Sequence, residues 1–595
     1  MSYNAPVADI SFTLKQIVGL SEELQKDRFG DLSDDLVDAI IEEAGKFAGE
    51  EIAPLNRVGD TVGAKFADGK VTMPEGWSRV YDAWAEAGWA SVAGPVDYGG
   101  QGLPQTLAMA TLEMWNSASM AFALGPTLTS GAIEAIDAHA SDELKDIYLA
   151  KLVSGEWMAT MNLTEPQAGS DLNALRARAE RAGDGTYRIF GQKIFISYGE
   201  HDLTDNIIHL VLARLPDAPA GTRGISLFLV PKFLVNEDGS IGARNDAVCA
   251  SVEHKLGIHS SPTCTMIYGD NGGAIGWLVG EENRGLACMF TMMNNARLAV
   301  GIQGVALAEG AFQKALTFAE ERRQGRALGA TEPGMSAIVD HPDVRRNLLI
   351  MKSFTRAARA ICYACAHATD MAEATDGDDK KYWQERANLI TPIAKAFSTD
   401  IGFEVSALGV MVHGGMGYVE ETGAAQYLRD ARIAAIYEGT NGIQAIDLVN
   451  RKLPQSGGEA VRAYIAELRA IVDEVKATNH SDFGIIGERL SDAFDNLTDT
   501  TEWMLTALGE GRIGDALAGA TPYLRIFGLA SGGAYLAKGA LASARAASGS
   551  AAETARIHVA RFFAETLVGE TAGLARAVKD SSQSVLAADA ALLSN

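Results

Sequence analysis

The segment Ile436-Tyr437-Glu438-Gly439-Thr440-Asn441 sets a single carboxylate in an apolar run and follows it at once with glycine. A carboxylate desolvated by Ile433, Ile436 and Tyr437 has its pKa raised toward neutrality, where it can remove a proton from carbon. Glu438 is therefore the candidate general base. Taken alone, such a glutamate is more often one half of a buried ion pair, and Leu428-Arg429-Asp430-Ala431-Arg432 just ahead supplies arginines for that reading. Segments elsewhere in the chain decide between the two.

Leu163-Thr164-Glu165-Pro166-Gln167-Ala168-Gly169-Ser170-Asp171 combines hydroxyls, a proline-fixed turn and a glycine, which together bring backbone donors close to a planar polar ligand. Glu320-Glu321-Arg322-Arg323-Gln324-Gly325-Arg326 gathers three arginines beside a glycine. Guanidinium forks suit bidentate pyrophosphate contacts, although a bare charge run is usually a solvated helix end. His413-Gly414-Gly415-Met416-Gly417-Tyr418 allows close backbone approach. Cys362-Tyr363-Ala364-Cys365 has the spacing of a redox or half-zinc motif. It lies in an alanine-rich helical pattern with no second cysteine pair, so it reads as structural and no metal is expected.

The elements that must position these groups follow from size and periodicity. At 595 residues the chain exceeds what one growing core supports, and several packed units are expected. With 47% hydrophobic residues there is ample apolar surface to bury, and a net charge of -25 opposes non-specific binding to nucleic acid or anionic lipid. Five scattered cysteines form no disulfide framework and point to a reducing compartment. No apolar run reaches spanning length, and Met1-Ser2-Tyr3-Asn4-Ala5-Pro6 does not open a signal peptide, so a cytoplasmic location is expected.

Helical spacing begins with Leu36, Val37, Ile40, Ile41, Ala44 and Phe47, and continues through Leu107 to Trp115 and Ile133 to Leu152. From Met158 the texture turns to β-rich runs: Thr186 to Phe190, Lys193 to Ser197, Ile207 to Leu212 and Ile225 to Val230. Helical periodicity returns near Ala287 and runs through Met293 to Ala319, Val344 to Ala374 and Lys380 to Val412. Pro454-Gln455-Ser456-Gly457-Gly458 is a linker, after which alanine-rich helical spacing extends to Leu593. The fold class is α+β. Its expected units are an N-terminal helical domain (1–157), a middle β-barrel-like domain (158–282), a helical bundle carrying the base (283–453) and an appended helical extension (459–595).

Thr164-Glu165-Pro166 with Ala168-Gly169-Ser170-Asp171 resembles the flavin-contacting segment of acyl-CoA dehydrogenases, and further resemblances recur in the family's order. Gly191-Gln192-Lys193-Ile194-Phe195-Ile196-Ser197 is similar to the strand that covers the flavin, with Phe195 and Ser197 where tryptophan and threonine are more familiar. Leu256 to Cys264 and Gly280-Glu281-Glu282-Asn283-Arg284-Gly285 match family turns, and Tyr437-Glu438-Gly439-Thr440 matches the catalytic-base segment. The resemblance implies non-covalent FAD held by Met161, Leu163, Thr164, Gly169, Ser170, Phe195, Ser197, Thr440 and Gly442. It places the acyl-CoA substrate near Ser170, Met293, Asn294, Arg297 and Gly439. It gives Arg322, Gln324, Gly414 and Gly415 to the FAD of a neighbouring subunit, and so implies a homo-oligomer, here a dimer. Met411 stands where many relatives carry glutamine. The N-terminal segment from Tyr3, the Arg322 to Arg326 cluster and the C-terminal extension together resemble the long bacterial branch that includes methylthiopropionyl-CoA dehydrogenase.

By that resemblance Glu438 takes the α proton of an acyl-CoA thioester while a hydride leaves the β carbon, giving a trans-2-enoyl-CoA; an electron-transferring flavoprotein accepts the electrons. The narrow expectation is 3-methylmercaptopropionyl-CoA as substrate; a general short or medium fatty acyl-CoA is the alternative. An acyl-CoA oxidase, separable by peroxide production, and a non-catalytic acyl-CoA or flavin scaffold, which would purify colourless, are the rivals from other classes.

Overall fold

The computed structural model describes residues 3–331, 333–478, 480–546 and 548–594, and Met1 and Ser2 of the N-terminal reading lie outside them. The chain adopts the expected α+β order of helices, sheet, helices and further helices. Ser33 caps the Asp34–Phe47 helix by accepting from the Leu36 N–H at 3.3 Å, with Asp34 and Asp35 at its positive end. Where two helices are expected between Leu107 and Leu152, a long one runs Gln105–His139 and Asp142–Val153 follows it. The long helix bends at Ser119, whose φ of -160° and ψ of 102° are non-helical, and it tolerates Pro126. It is buried on nearly every side, so no apolar stripe marks its length in the sequence.

The sheet is barrel-like because one short strand bridges two of its interior strands. Arg178–Arg181 pairs with Tyr187–Ser197 and, at Arg178 opposite Arg214, with Ile207–Arg214. With Ala274–Val279 and Ile225–Pro231 between them, these strands close a ring. Thr263–Tyr268 and Ala247–Val252 continue from the other side of Tyr187–Ser197, and Met158–Asn162 lies parallel to Ile207–Arg214. Tyr187–Ser197, expected as two strands, is one: Gly191 at φ +131° passes over Ala177, whose Cα would lie 3.0 Å from a Cβ at that position. Ile225–Pro231 is buried along its whole length, which is why it reads as a continuous apolar run.

Three long helices follow: Gly285–Glu321, Pro342–Glu373 and Gly377–His413. The first and third cross in near contact, since a Cβ at Gly304 would lie 2.2 Å from the Ser398 carbonyl oxygen. Cys362 and Cys365 are buried free thiols in the second helix, Cys362 facing Ser398 Oγ at 3.3 Å. Beyond Pro454 the chain turns through Ser456, Gly457 and Gly458, all at positive φ. The extension then contributes Glu459–Thr478, Ile486–Gly509, Ala520–Ala546, Ala551–Phe562 and Glu570–Asp580. Its Ala520–Ala546 helix is pressed into the bundle: a Cβ at Gly528 would lie 2.2 Å from the Phe397 ring, and one at Gly532 2.9 Å from the Ala357 Cβ. The same helix also touches Asn441–Asp447, the short helix just after Glu438.

Candidate active site

Glu438 stands in the turn between the helical stretch Arg432–Ala435 and the helix Asn441–Asp447. Its φ of +55° and the +82° of Gly439 put two successive residues in the left-handed region and reverse the chain. A Cβ at position 439 would lie 2.9 Å from Gln444 Nε2, so both space and dihedral favour glycine there. Thr440 caps the next helix by accepting from the Ile443 N–H at 3.3 Å. Gln444 Nε2 donates to the Glu438 carbonyl at 3.1 Å, and Lys395 Nζ donates to the Gly439 carbonyl and to Asn441 Oδ1, each at 2.9 Å. Carbonyls on this loop are thus tied down. The Glu438 N–H, by contrast, has no partner among the described residues, which leaves it free to donate to a bound oxygen.

Burial pushes the Glu438 carboxyl up to about 7, against the pull of Arg297 and Lys395. That burial does not come from Ile436, as the local sequence suggests: Ile436 is 47% exposed. It comes from the long helices, which bring up Arg297 and Lys395 and let the Tyr437 hydroxyl donate to Gln303. Arg297, which in isolation reads as a solvated helix charge, is 5% exposed and faces Asp447 at 3.3 Å. Arg451 takes the other Asp447 oxygen. Asn294 shares the Arg297 face one turn earlier and is exposed, and Met293 beside it is half-buried.

On the sheet side, Met161 is buried at the end of Met158–Asn162, and Leu163 and Thr164 are half-buried just beyond it, while Gly169 and Ser170 are exposed. A buried ion pair fixes this segment to the neighbouring strand: Lys193 Nζ donates to the Leu163 carbonyl at 2.9 Å and to Glu165 Oε1 at 2.8 Å. Glu165 also accepts from the backbone N–H groups of Arg176 at 2.7 Å and Ala177 at 2.9 Å. Two residues on, Phe195 is 57% exposed at φ +60°, an aromatic plane offered outward in a conformation that phenylalanine rarely adopts. Ser197 pairs with Thr263, and the turn that precedes Thr263 donates its Ile258 N–H to Asp430 at 2.6 Å. Asp430 lies in the helix Ala424–Ala431, eight residues before Glu438, so a hydrogen-bonded path joins the strand of Phe195 to the segment of Glu438.

An outward aromatic face, a hydroxyl beside it and a free backbone donor at Glu438 are a donor set that fits the isoalloxazine ring of a flavin. Arg322, Gln324, Gly414 and Gly415 are brought together elsewhere. They are all exposed at one end of the bundle, where Phe318 and His413 stack at 4.5 Å. The fifteen helical residues from Gln303, which meets Tyr437, to Phe318 put that end about 22 Å from the Glu438 segment, at about 1.5 Å per residue. Within one chain, then, these four residues do not belong to the surroundings of Glu438.

Lys395, Gln303, Gln444 and Asp447 were not singled out by sequence, though the first three touch the Glu438 segment and Asp447 faces Arg297 beside it. Lys395 carried a signal, since it is the lone charge in the apolar helical run Ile390-Thr391-Pro392-Ile393-Ala394-Lys395-Ala396-Phe397. The glutamines carried none.

Four family models match in chain order. They are the acyl-CoA dehydrogenase N-terminal domain (35–156), the acyl-CoA dehydrogenase middle domain (160–270), the acyl-CoA dehydrogenase C-terminal domain (283–453) and an acetyl-CoA dehydrogenase C-terminal-like region (463–589). The chain is 44% identical over 591 residues to 3-methylmercaptopropionyl-CoA dehydrogenase of Ruegeria pomeroyi, covering 99% of this chain and 100% of that one. It is 35% identical over 518 residues to a butyryl-CoA dehydrogenase of Syntrophomonas wolfei, covering 85% of each. The fold is that of an acyl-CoA dehydrogenase from Bacillus anthracis solved with FAD, with a TM-score of 0.73, 19% identity and coverage of 94% of this chain and 92% of that one. The chain therefore belongs to the acyl-CoA dehydrogenase family.

Proposed function

We propose that this FAD-dependent dehydrogenase converts 3-methylmercaptopropionyl-CoA into methylthioacryloyl-CoA, with Glu438 as the base. The observation that carries the chemistry is the combination at one residue of a carboxyl pushed up to about 7 and a free backbone N–H. The substrate reading is supported by the identity of 44% to the Ruegeria pomeroyi enzyme along the whole chain. Glu438 takes the α proton of the thioester. That proton is far less acidic than a carboxylic acid, so the carbonyl must be stabilised as enolate character develops. The Glu438 N–H is placed to donate there, and such a donor in a dry site contributes several kcal/mol. Bound FAD, held by the segments around Thr164, Phe195 and Thr440, supplies the acceptor for the β hydride. Asn294 and Arg297 flank the substrate, and Gly439 lets its backbone approach.

Arg322, Gln324, Gly414 and Gly415 are assigned to the FAD of a second copy, which their separation from Glu438 within one chain supports, and the working unit is a homodimer. An electron-transferring flavoprotein is the electron acceptor and the cytoplasm the compartment. A short straight-chain acyl-CoA is the second reading, favoured by the Syntrophomonas wolfei relative.

The test is anaerobic mixing of the yellow protein with methylthiopropionyl-CoA, butyryl-CoA and octanoyl-CoA while the flavin band is followed. Fastest bleaching by the thioether supports the narrow substrate. Equal or faster bleaching by butyryl-CoA transfers the assignment to a short-chain fatty acyl-CoA dehydrogenase. Unchanged bleaching in Glu438→Gln with FAD retained removes Glu438 from the role of base.

A further inference from the structure

Lys395 lies in the middle of the Gly377–His413 helix and is 0% exposed. A buried ammonium is costly unless it is paired, and no carboxylate comes within 4 Å of it among the described residues. Its hydrogen bonds go instead to two neutral acceptors, the Gly439 carbonyl and Asn441 Oδ1, each at 2.9 Å. A neutral amide could satisfy two such acceptors without desolvating a charge, so hydrogen bonding alone does not account for lysine here. What a charge adds is a field, and the residue next to Gly439 is the base.

We propose that Lys395 is a positioning residue for Glu438: its ammonium holds the loop on the far side of the base through Gly439 and Asn441, and its charge favours the ionised form of the Glu438 carboxylate. The inference rests on the reading of Glu438 as the base. The groups facing this ammonium come from each element packed around it. Glu438 attracts it from the loop and Asp400 from one turn further along its own helix, while Arg297 repels it from the Gly285–Glu321 helix. Arg297 is in turn offset by Asp447, with Arg451 and Lys452 beyond, and Asp400 is shared with Arg432 and with Arg525 of the extension. Burial pushes the lysine down to about 7 against the pull of Glu438, and pushes Glu438 up to about 7 against the pull of Arg297 and Lys395. The two groups therefore exchange influence across neutral pH: protonated Lys395 favours ionised Glu438, and the reverse.

The test is a pH titration of the Glu438 carboxyl by difference infrared spectroscopy, using the band that Glu438→Gln removes, run beside the pH profile of anaerobic flavin bleaching. In Lys395→Met, which keeps the length of the side chain and deletes the charge, the infrared midpoint is expected to rise by about one pH unit. Bleaching at pH 7 then slows by about fivefold and recovers by pH 9. In Asp400→Asn, which leaves the lysine and its hydrogen bonds in place but lowers its charge, the midpoint moves in the same direction by less. A uniform loss of rate with an unmoved midpoint in Lys395→Met overturns the proposal and leaves the lysine as packing. If Lys395→Met does not fold, an unmoved midpoint in Asp400→Asn overturns it as well. Full bleaching in Glu438→Gln refutes the base assignment itself, a result distinct from either.

Discussion

Removing Lys193 should harm the protein less than removing its partner Glu165, and the difference can be worked out from their surroundings. Both are buried, at 0% and 4% exposure. Breaking a buried pair by deleting one partner costs about 3–5 kcal/mol, mostly because the remaining charge is left unpaired. In Lys193→Met the remaining Glu165 still accepts from the Arg176 and Ala177 N–H groups and from Gln167, so the loss belongs at the low end, about 3 kcal/mol. In Glu165→Ala the ammonium keeps only the Leu163 carbonyl at 2.9 Å, and the loss belongs at the high end, about 5 kcal/mol. The sign of the pH effect is also fixed. Burial already pushes Lys193 down to about 8, and without Glu165 it falls further, so the native state binds fewer protons than the unfolded chain, whose lysine titrates near 10.4. The Glu165→Ala deficit should therefore shrink as pH rises from 7 to 9. The assay is urea unfolding of both variants at the two pH values, followed by tryptophan fluorescence and flavin release. Equal losses for the two variants, or a Glu165→Ala deficit that widens with pH, would refute the reasoning.

Three further outcomes are expected. A base with a pKa of about 7 acts as the carboxylate, so the bleaching rate should climb about tenfold between pH 6 and pH 8 and then level off; a rate that falls over this range contradicts the assignment. Phe195→Gly relieves the left-handed strain at φ +60° but gives up an exposed ring, so apo stability should stay within about 1 kcal/mol of wild type while FAD binding weakens by about tenfold in a flavin titration. Gly439→Ala meets both a φ of +82° and the Gln444 amide 2.9 Å away, and should slow bleaching by about 100-fold in a folded, FAD-bound protein; a loss under threefold would show that the loop yields.

Much of the architecture was legible because periodicity survives wherever an element has one wet face. Val37, Ile41 and Ala44 mark such a helix, and Ser33 marks its start. The Gln105–His139 helix was not legible as one element, because a helix buried on nearly every side shows no stripe. Tyr187–Ser197 split in the reading for a related reason, since the conformation Gly191 adopts depends on Ala177 packed against it. At the site, Glu438 was visible as a lone carboxylate in an apolar run, but the source of its burial was not: Ile436 turns outward, and the desolvation comes from helices far away in the chain. Arg297 read in isolation as an ordinary helix charge and Lys395 was not singled out, because their fate is decided by which helix face the bundle encloses. The signal was the isolation of Lys395 among apolar neighbours.

The Ala520–Ala546 helix cannot be detached from the bundle without cost. Gly528 and Gly532 exist as hollows for Phe397 and Ala357, and Phe397 is two residues from Lys395 on the same helix. Arg525 of that helix reaches Glu404 of the bundle, and its neighbour Asn441–Asp447 begins three residues after Glu438. A chain shortened after Leu453 would bare the Phe397 ring two residues from Lys395 and leave Glu404 without Arg525. The extension is thus a wall of the bundle as much as a tail, and deleting it is expected to loosen the packing behind Glu438 as well as to shorten the chain.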